Sequence, residues 1–203
     1  MMDLLNVIIT GVGGQGNVLA SQILGRAAVR KGLRVTIGET FGLSQRGGAV
    51  MSHIRLSKES QCGPLIPPNS AHVIAGLEPL ETLRTIPEYG NAQTAIIANS
   101  RPIHPLNVIA GDADYPDTEW IRGVLKRVGE RLFWLDATDA ALRLGGPIML
   151  NMIMVGGLCA LPGFPLTADD IQSVLETVFS APKLAANVEA LHLGEHMVRT
   201  YEN

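Results

Sequence analysis

The chain has 203 residues, enough for one domain (1–203) with a full core; 46% hydrophobic and 17% charged residues, with a mean hydropathy of +0.21, exclude a disordered chain and suggest surface covered by a partner. A net charge of −3 and 4% aromatic residues give neither the basic surface nor the stacking platform of a nucleic-acid binder. The two cysteines, Cys62 and Cys159, stand far apart with no CxxC, so the chain alone cannot ligate an iron–sulfur cluster, and nothing demands an oxidising compartment.

The first predicted element is Val7 to Ile9, an apolar run read as a buried parallel strand. Gly11, Gly13, Gly14 and Gly16 follow, and a helix is predicted from Gln15 to about Lys31. Strand, glycine turn and helix open a nucleotide-binding α/β unit, and Gly11, Gly13 and Gly16 match G-x-G-x-x-G in that context. Glycine permits positive φ and close approach, and the free N–H groups of the helix start favour an anion. The same turn also serves strand–helix packing with no ligand, so both readings stay open here.

Leu33 to Ile37 reads as the second strand, followed by the glycine-rich loop Glu39 to Gly48 and the alternating strand Val50 to Leu56. Residues 57–70, with Pro64, Pro67 and Pro68, read as an exposed connection. Strands are predicted at Ala71 to Leu77, Thr94 to Ala98, Asn107 to Ala110 and Leu132 to Leu135, with helices from Glu78-Pro79 to about Thr85 and from Thr118 to Val128. Beyond Leu135 the pattern is helical, at about 138–144, 147–160, 167–179 and 183–201, with Thr167 and Asp170 forming a variant capping box. The expected fold is α/β: a doubly wound, mostly parallel, Rossmann-like sheet with a helical C-terminal section. The apolar stretch from Ile148 to Leu161 is too short and too broken for a membrane span, no signal peptide is evident, and the cytoplasm is the expected compartment.

Three constellations could carry chemistry. Glu39, 23 residues after Gly16, stands where a dinucleotide fold places its ribose-binding acid, or is a strand-end carboxylate facing water or paired with Arg46. Its strand leads into a loop and another strand rather than a helix, which weakens the nicotinamide reading. Gln45-Arg46-Gly47-Gly48 offers a planar guanidinium and exposed backbone donors to an anion or a partner. His192 and His196 have the spacing of zinc ligands but no evident third ligand, and read as a solvated helix face. No catalytic Ser-His-Asp or Cys-His order emerges.

The two glycine clusters together are more specific than either. Gly11-Val-Gly-Gly-Gln-Gly16, then Glu39 to Gly48 and Ser52-His-Ile-Arg55, resemble the gamma-type subunit of 2-oxoacid:ferredoxin oxidoreductases. Ala71 to Leu80, Asn99-Ser-Arg-Pro102, Asn151 to Gly156 and Lys183 to Asn187 extend the resemblance over nearly the whole chain, nearest to the branch acting on indolepyruvate and other aryl pyruvates. The resemblance implies a complex that decarboxylates a 2-oxoacid, passes electrons to ferredoxin and forms an acyl-coenzyme A. It places thiamine diphosphate and iron–sulfur clusters on a larger partner subunit and no catalytic residue on this chain. Gly11, Gly13, Gly14, Gln15, Gly16, Gln45, Arg46 and Gly47 are then the candidate contacts to an anion, to coenzyme A or to the partner. The isolated chain is expected to be inactive and to self-associate as a symmetric dimer, with Phe41, Leu43, Met51 and the Met149-to-Met154 segment supplying apolar surface. A free-standing NAD(P)-dependent dehydrogenase and a non-enzymatic nucleotide sensor are the competing classes.

Overall fold

A computed structural model describes residues 3–42, 48–104 and 106–201. Leu43, Gln45, Arg46 and Gly47 therefore lie outside the described residues. Six strands, β1 (Leu4–Val12), β2 (Arg34–Phe41), β3 (Ala49–Ser57), β4 (Val73–Gly76), β5 (Ala95–Asn99) and β6 (Arg131–Leu135), form one sheet in the order β2-β3-β1-β4-β5-β6. The pairings β1-β4, β4-β5 and β5-β6 are parallel, whereas β3 runs antiparallel to both β1 and β2. The connection from β2 to β3 is too short to hold a crossover helix, so the chain must reverse, and β3 fills the position between β2 and β1. The Gly42 N–H donates to Ala49 O at 2.7 Å where that connection leaves the sheet.

The helices are α1 (Asn17–Arg30), α2 (Pro79–Tyr89), α3 (Leu106–Ile109), α4 (Thr118–Val128), α5 (Ala137–Arg143), α6 (Leu150–Cys159), α7 (Ala168–Val178) and α8 (Ala181–Arg199), with a 3-10 turn at Pro147–Met149. On one face of the sheet, Val7, Ile9, Ile54 and Ile97 pack in one core with α1 and the C-terminal helices. On the other, Ile121 and Leu125 of α4 pack on Ile96 and Leu132. Over β1 and β3 that second face is closed by the segment 58–70. Ile66 joins Ile8 and Ile74, Arg55 Nη1 donates to the carbonyls of Gly63 and Leu65, and Thr36 Oγ1 donates to Cys62 O. The segment read as an exposed connection is exposed over most of its length, and through Ile66 and these ties it also covers the apolar side chains beneath it.

Three expectations change. Residues 106–109 are one turn of helix where a short strand was expected at Asn107 to Ala110, a run too short for periodicity to separate the two. Helix α2 runs past Thr85 to Tyr89, with Pro87 in its last turn. Met152 and Met154 are buried in the core, so the Met149-to-Met154 segment offers no continuous partner surface, while Phe41 is 66% exposed. The capping box is present as read: Thr167 Oγ1 accepts from the Asp170 N–H, and Asp170 accepts from the Thr167 N–H. No helix among the described residues is long and apolar enough to cross a membrane.

Candidate functional site

The glycine turn sits at the C-terminal edge of the sheet, where the chain from β1 turns one way and that from β4 the other. This is the topological switch point at which open α/β sheets bind ligands. Gly11 and Val12 are the last residues of β1, paired with Val50 and Ala49. The Gly13 N–H donates to Gly48 O at 3.0 Å and the Gln15 N–H to Val12 O at 3.3 Å, so these two amides are held inside the turn. Gly14 and Gly16 take the left-handed region, at φ 99° and 87°. Among the described residues their N–H groups have no protein acceptor, nor have those of the first turn of α1.

Gly16 caps α1 without a side-chain bond, and the first turn of the helix carries no acidic residue. An uncapped helix start with no neighbouring carboxylate keeps its partial positive charge available to an outside anion. On one side of the turn lies a cavity of about 700 Å³ lined by Val12, Gly13, Gly14, Gly16, Asn17, Val18, Phe41 and Gly48 to Val50. On the other lies one of about 510 Å³, lined by Gly13, Gly14, Gln15, Arg101, Ile103, Thr138, Leu142 and Ile148. The Gly13-Gly14 backbone is the ridge between them. Ile103, Leu142 and Ile148 are 42%, 47% and 50% exposed, so the second cavity opens through an apolar rim.

Arg101 stands at that rim, with Nη1 2.8 Å from Asp139 Oδ1 in a pair more than half exposed on both sides. Such a pair is worth at most about 1 kcal/mol, and an incoming anion can replace it. Reading the glycine clusters alone misses Arg101; the signal for it is a lone arginine two residues past the end of a parallel strand. Behind the rim, Glu78 is buried as the N-cap of α2 and accepts from the N–H groups of Glu81 and Ile103 and from the Tyr115 hydroxyl. Burial, and next the Glu78 carboxylate, hold the Tyr115 phenol far above its ordinary range, so it stays a donor. Burial likewise raises the Glu81 carboxyl, against the pull of Arg84.

The other candidates are placed elsewhere. Glu39 Oε1 accepts from Ser21 Oγ at 2.8 Å and Oε2 from Ser52 Oγ at 2.5 Å, so the carboxylate ties β2 to α1 and β3. Because β3 intervenes, Glu39 lies two strand spacings from β1, roughly 10 Å, and is not set beside the turn as a ribose ligand. His192 and His196 lie on the exposed face of α8, and among the described residues no three metal-ligating side chains cluster. Gly11 and Gly16 also serve packing: a Cβ on Gly11 would lie 2.5 Å from Gln15 Oε1, and one on Gly16 2.3 Å from Asn151 Nδ2.

The chain is 36% identical over 190 residues to indolepyruvate oxidoreductase subunit IorB of Thermococcus kodakarensis, covering 93% of each. Its fold is similar to pyruvate oxidoreductase subunit PORC of Thermotoga maritima, with a TM-score of 0.71 and 21% identity, covering 96% of this chain and 97% of that one. It is also similar to 2-oxoglutarate:ferredoxin oxidoreductase from Magnetococcus marinus, solved with 2-oxoglutarate, coenzyme A and succinyl-CoA bound, with a TM-score of 0.75 and 20% identity. That match covers 100% of this chain but only 32% of the Magnetococcus chain. The model of one family matches residues 6–196, and the chain accordingly belongs to the pyruvate ferredoxin/flavodoxin oxidoreductase family.

Proposed function

We infer that this chain is the gamma-type subunit of a 2-oxoacid:ferredoxin oxidoreductase whose substrate is indolepyruvate or another aryl pyruvate. The observation that carries the reading is the 36% identity to an indolepyruvate oxidoreductase subunit over 93% of both chains. The reaction joins a 2-oxoacid and coenzyme A to give acyl-coenzyme A and carbon dioxide, with two electrons passed to ferredoxin. A larger partner subunit carries thiamine diphosphate, which supplies carbanion stabilisation, and the iron–sulfur clusters, for which two distant cysteines provide no ligand set. Coenzyme A and ferredoxin chemistry also fits the cytoplasm.

In this reading the chain's own task is to bind and orient coenzyme A. The N–H groups of Gly14, Gly16 and the first turn of α1 suit its diphosphate, with Gly11, Gly13 and Gln15 shaping the turn. Arg101 at the rim of the second cavity supplies a donor of matching charge, and Gln45, Arg46 and Gly47, outside the described residues, are further candidate contacts by their chemistry. The two cavities flanking the ridge suit the two arms of so long a ligand, and together with Phe41, Ile103 and Ile148 they form the surface the larger subunit would close. Without that subunit, the same apolar rim drives the isolated chain to a symmetric dimer.

The test is an amide-resonance titration of the isolated chain with coenzyme A. Shifts are expected at Gly14, Gly16 and Asn17, and loss of those shifts in Gly14→Val. Shifts confined to other regions, or a Gly14→Val variant that folds and binds as the parent does, would leave the glycines a packing role alone.

A further inference from the structure

Asn99, fully buried at the end of β5, is a junction. Its Nδ2 donates to Thr138 Oγ1 at 2.9 Å, to Leu77 O at 3.1 Å and to Arg101 O at 3.3 Å, and its Oδ1 accepts from the Thr138 N–H at 3.1 Å. Leu77 O also accepts from Gln15 Nε2 at 2.8 Å, and Gln15 Oε1 accepts from the Val12 N–H at 2.8 Å. A continuous chain of hydrogen bonds thus joins the end of β1, the exits of β4 and β5 and the first turn of α5. Gln15, Arg101 and Thr138 all line the 510 Å³ cavity that this chain floors.

At both positions the chemistry suits a primary amide. Each must donate and accept at once, which neither a carboxylate nor a hydrocarbon can do. Gln15 Oε1 and an N–H of its Nε2 are engaged inside the protein, so its role differs from that of the exposed amides of Gly14 and Gly16. Exit loops at a strand edge are mobile unless tied. Backbone bonds hold the start of each exit, from the N–H groups of Gly13, Leu77 and Ser100 to the carbonyls of Gly48, Thr10 and Leu135, and the side-chain amides tie the three exits to one another.

We propose that Gln15 and Asn99 are positioning residues: without touching the ligand, they lock the glycine turn and the Arg101 loop in one arrangement, so that both walls of the second cavity are set before the ligand arrives. Preset walls spare the ordering cost of binding. The proposal rests on the reading that the turn holds coenzyme A, and adds residues that act on it at second hand.

The experiment uses Gln15→Glu, Thr138→Val and Thr138→Ser in the complex reconstituted with the larger subunit, varying coenzyme A at several pH values beside the parent. The glutamate keeps the acceptor for Val12 but turns an oxygen toward Leu77 O. Burial against a carbonyl favours its protonated form, which donates as the amide did. The KM for coenzyme A in Gln15→Glu is therefore expected to rise about tenfold at about pH 9 and to return toward the parent's at about pH 6, with kcat within about twofold throughout. Thr138→Val should raise the KM and Thr138→Ser should not. Hydrogen exchange on the isolated chain supplies a second measurement. In Gln15→Glu at high pH the amides of Val12 and Gly13 should exchange faster while those of α6 and α8 keep the parent's protection. An active, coenzyme-A-dependent parent with unshifted KM in Gln15→Glu and Thr138→Val overturns the positioning role and leaves the functional reading standing. A parent complex whose rate ignores coenzyme A overturns the functional reading instead. Local exchange then decides the lock alone, and unchanged exchange at Val12 and Gly13 overturns it.

Discussion

Gly14 and Gly16 share left-handed backbone but not surroundings. Nothing lies within 4 Å of a Cβ placed on Gly14, whereas one on Gly16 would lie 2.3 Å from Asn151 Nδ2. Gly14→Ala is therefore expected to cost the backbone term alone, about 1–2 kcal/mol, and Gly16→Ala that plus overpacking of about 1–3 kcal/mol. Urea denaturation of both variants checks the order; equal losses would mean that Asn151 yields freely. Burial, and next the carboxylates of Glu195 and Asp170, push the Cys159 thiol up to about 12, so it should resist alkylation at neutral pH in the folded chain and react on unfolding. Mass spectrometry after a brief iodoacetamide pulse reads this directly, and fast labelling of Cys159 in the native chain would count against its burial.

At the scale of elements, α6 and α8 cross at very close range. A Cβ on Gly194 would lie 1.8 Å from Ile153 O, and one on Gly156 1.9 Å from Leu191 O, so the helices meet backbone to backbone. Gly194→Ala must push them apart and is expected to cost at least about 2–3 kcal/mol, visible as a lowered urea midpoint. The cap of α7 is a milder case: Thr167→Ala should cost about 1 kcal/mol. The glycine turn, the capping box and the buried α6 were legible because each is written in adjacent residues. The cover formed by 58–70 was not, since its ties run from Arg55 and Thr36 on other strands. The reversal of β3 was half legible: a strand following a short loop announces it, but its place between β2 and β1 is set by pairing. Gln15 could be singled out from its motif, but its inward role depends on Leu77, 62 residues away, which no local pattern reveals.

For the whole molecule, a buried histidine, His53, and a half-buried one, His72, set a pH dependence. Burial lowers the pKa of His53, against the pull of Glu88, and that of His72, both from 6.5. The unfolded chain takes up protons at these sites as pH falls through about 6.5 while the folded chain does not, so stability is full above that pH and declines below it. The raised Glu81 carboxyl acts oppositely, its cost easing as pH falls toward 4.5, so the decline should be steepest between about pH 6.5 and 5. Thermal midpoints across that range should fall with acidification; a rise would contradict the burial of both rings. The sheet edge carries the larger proposal, that its glycine ridge, two cavities and apolar rim are one component of a site that a second chain completes. The most direct measurement is dye reduction with indolepyruvate and coenzyme A, run with this chain alone, with the larger thiamine- and cluster-bearing subunit alone, and with both. Turnover is predicted only when both are present, and turnover by this chain alone, or full turnover by the larger subunit without it, would contradict the account.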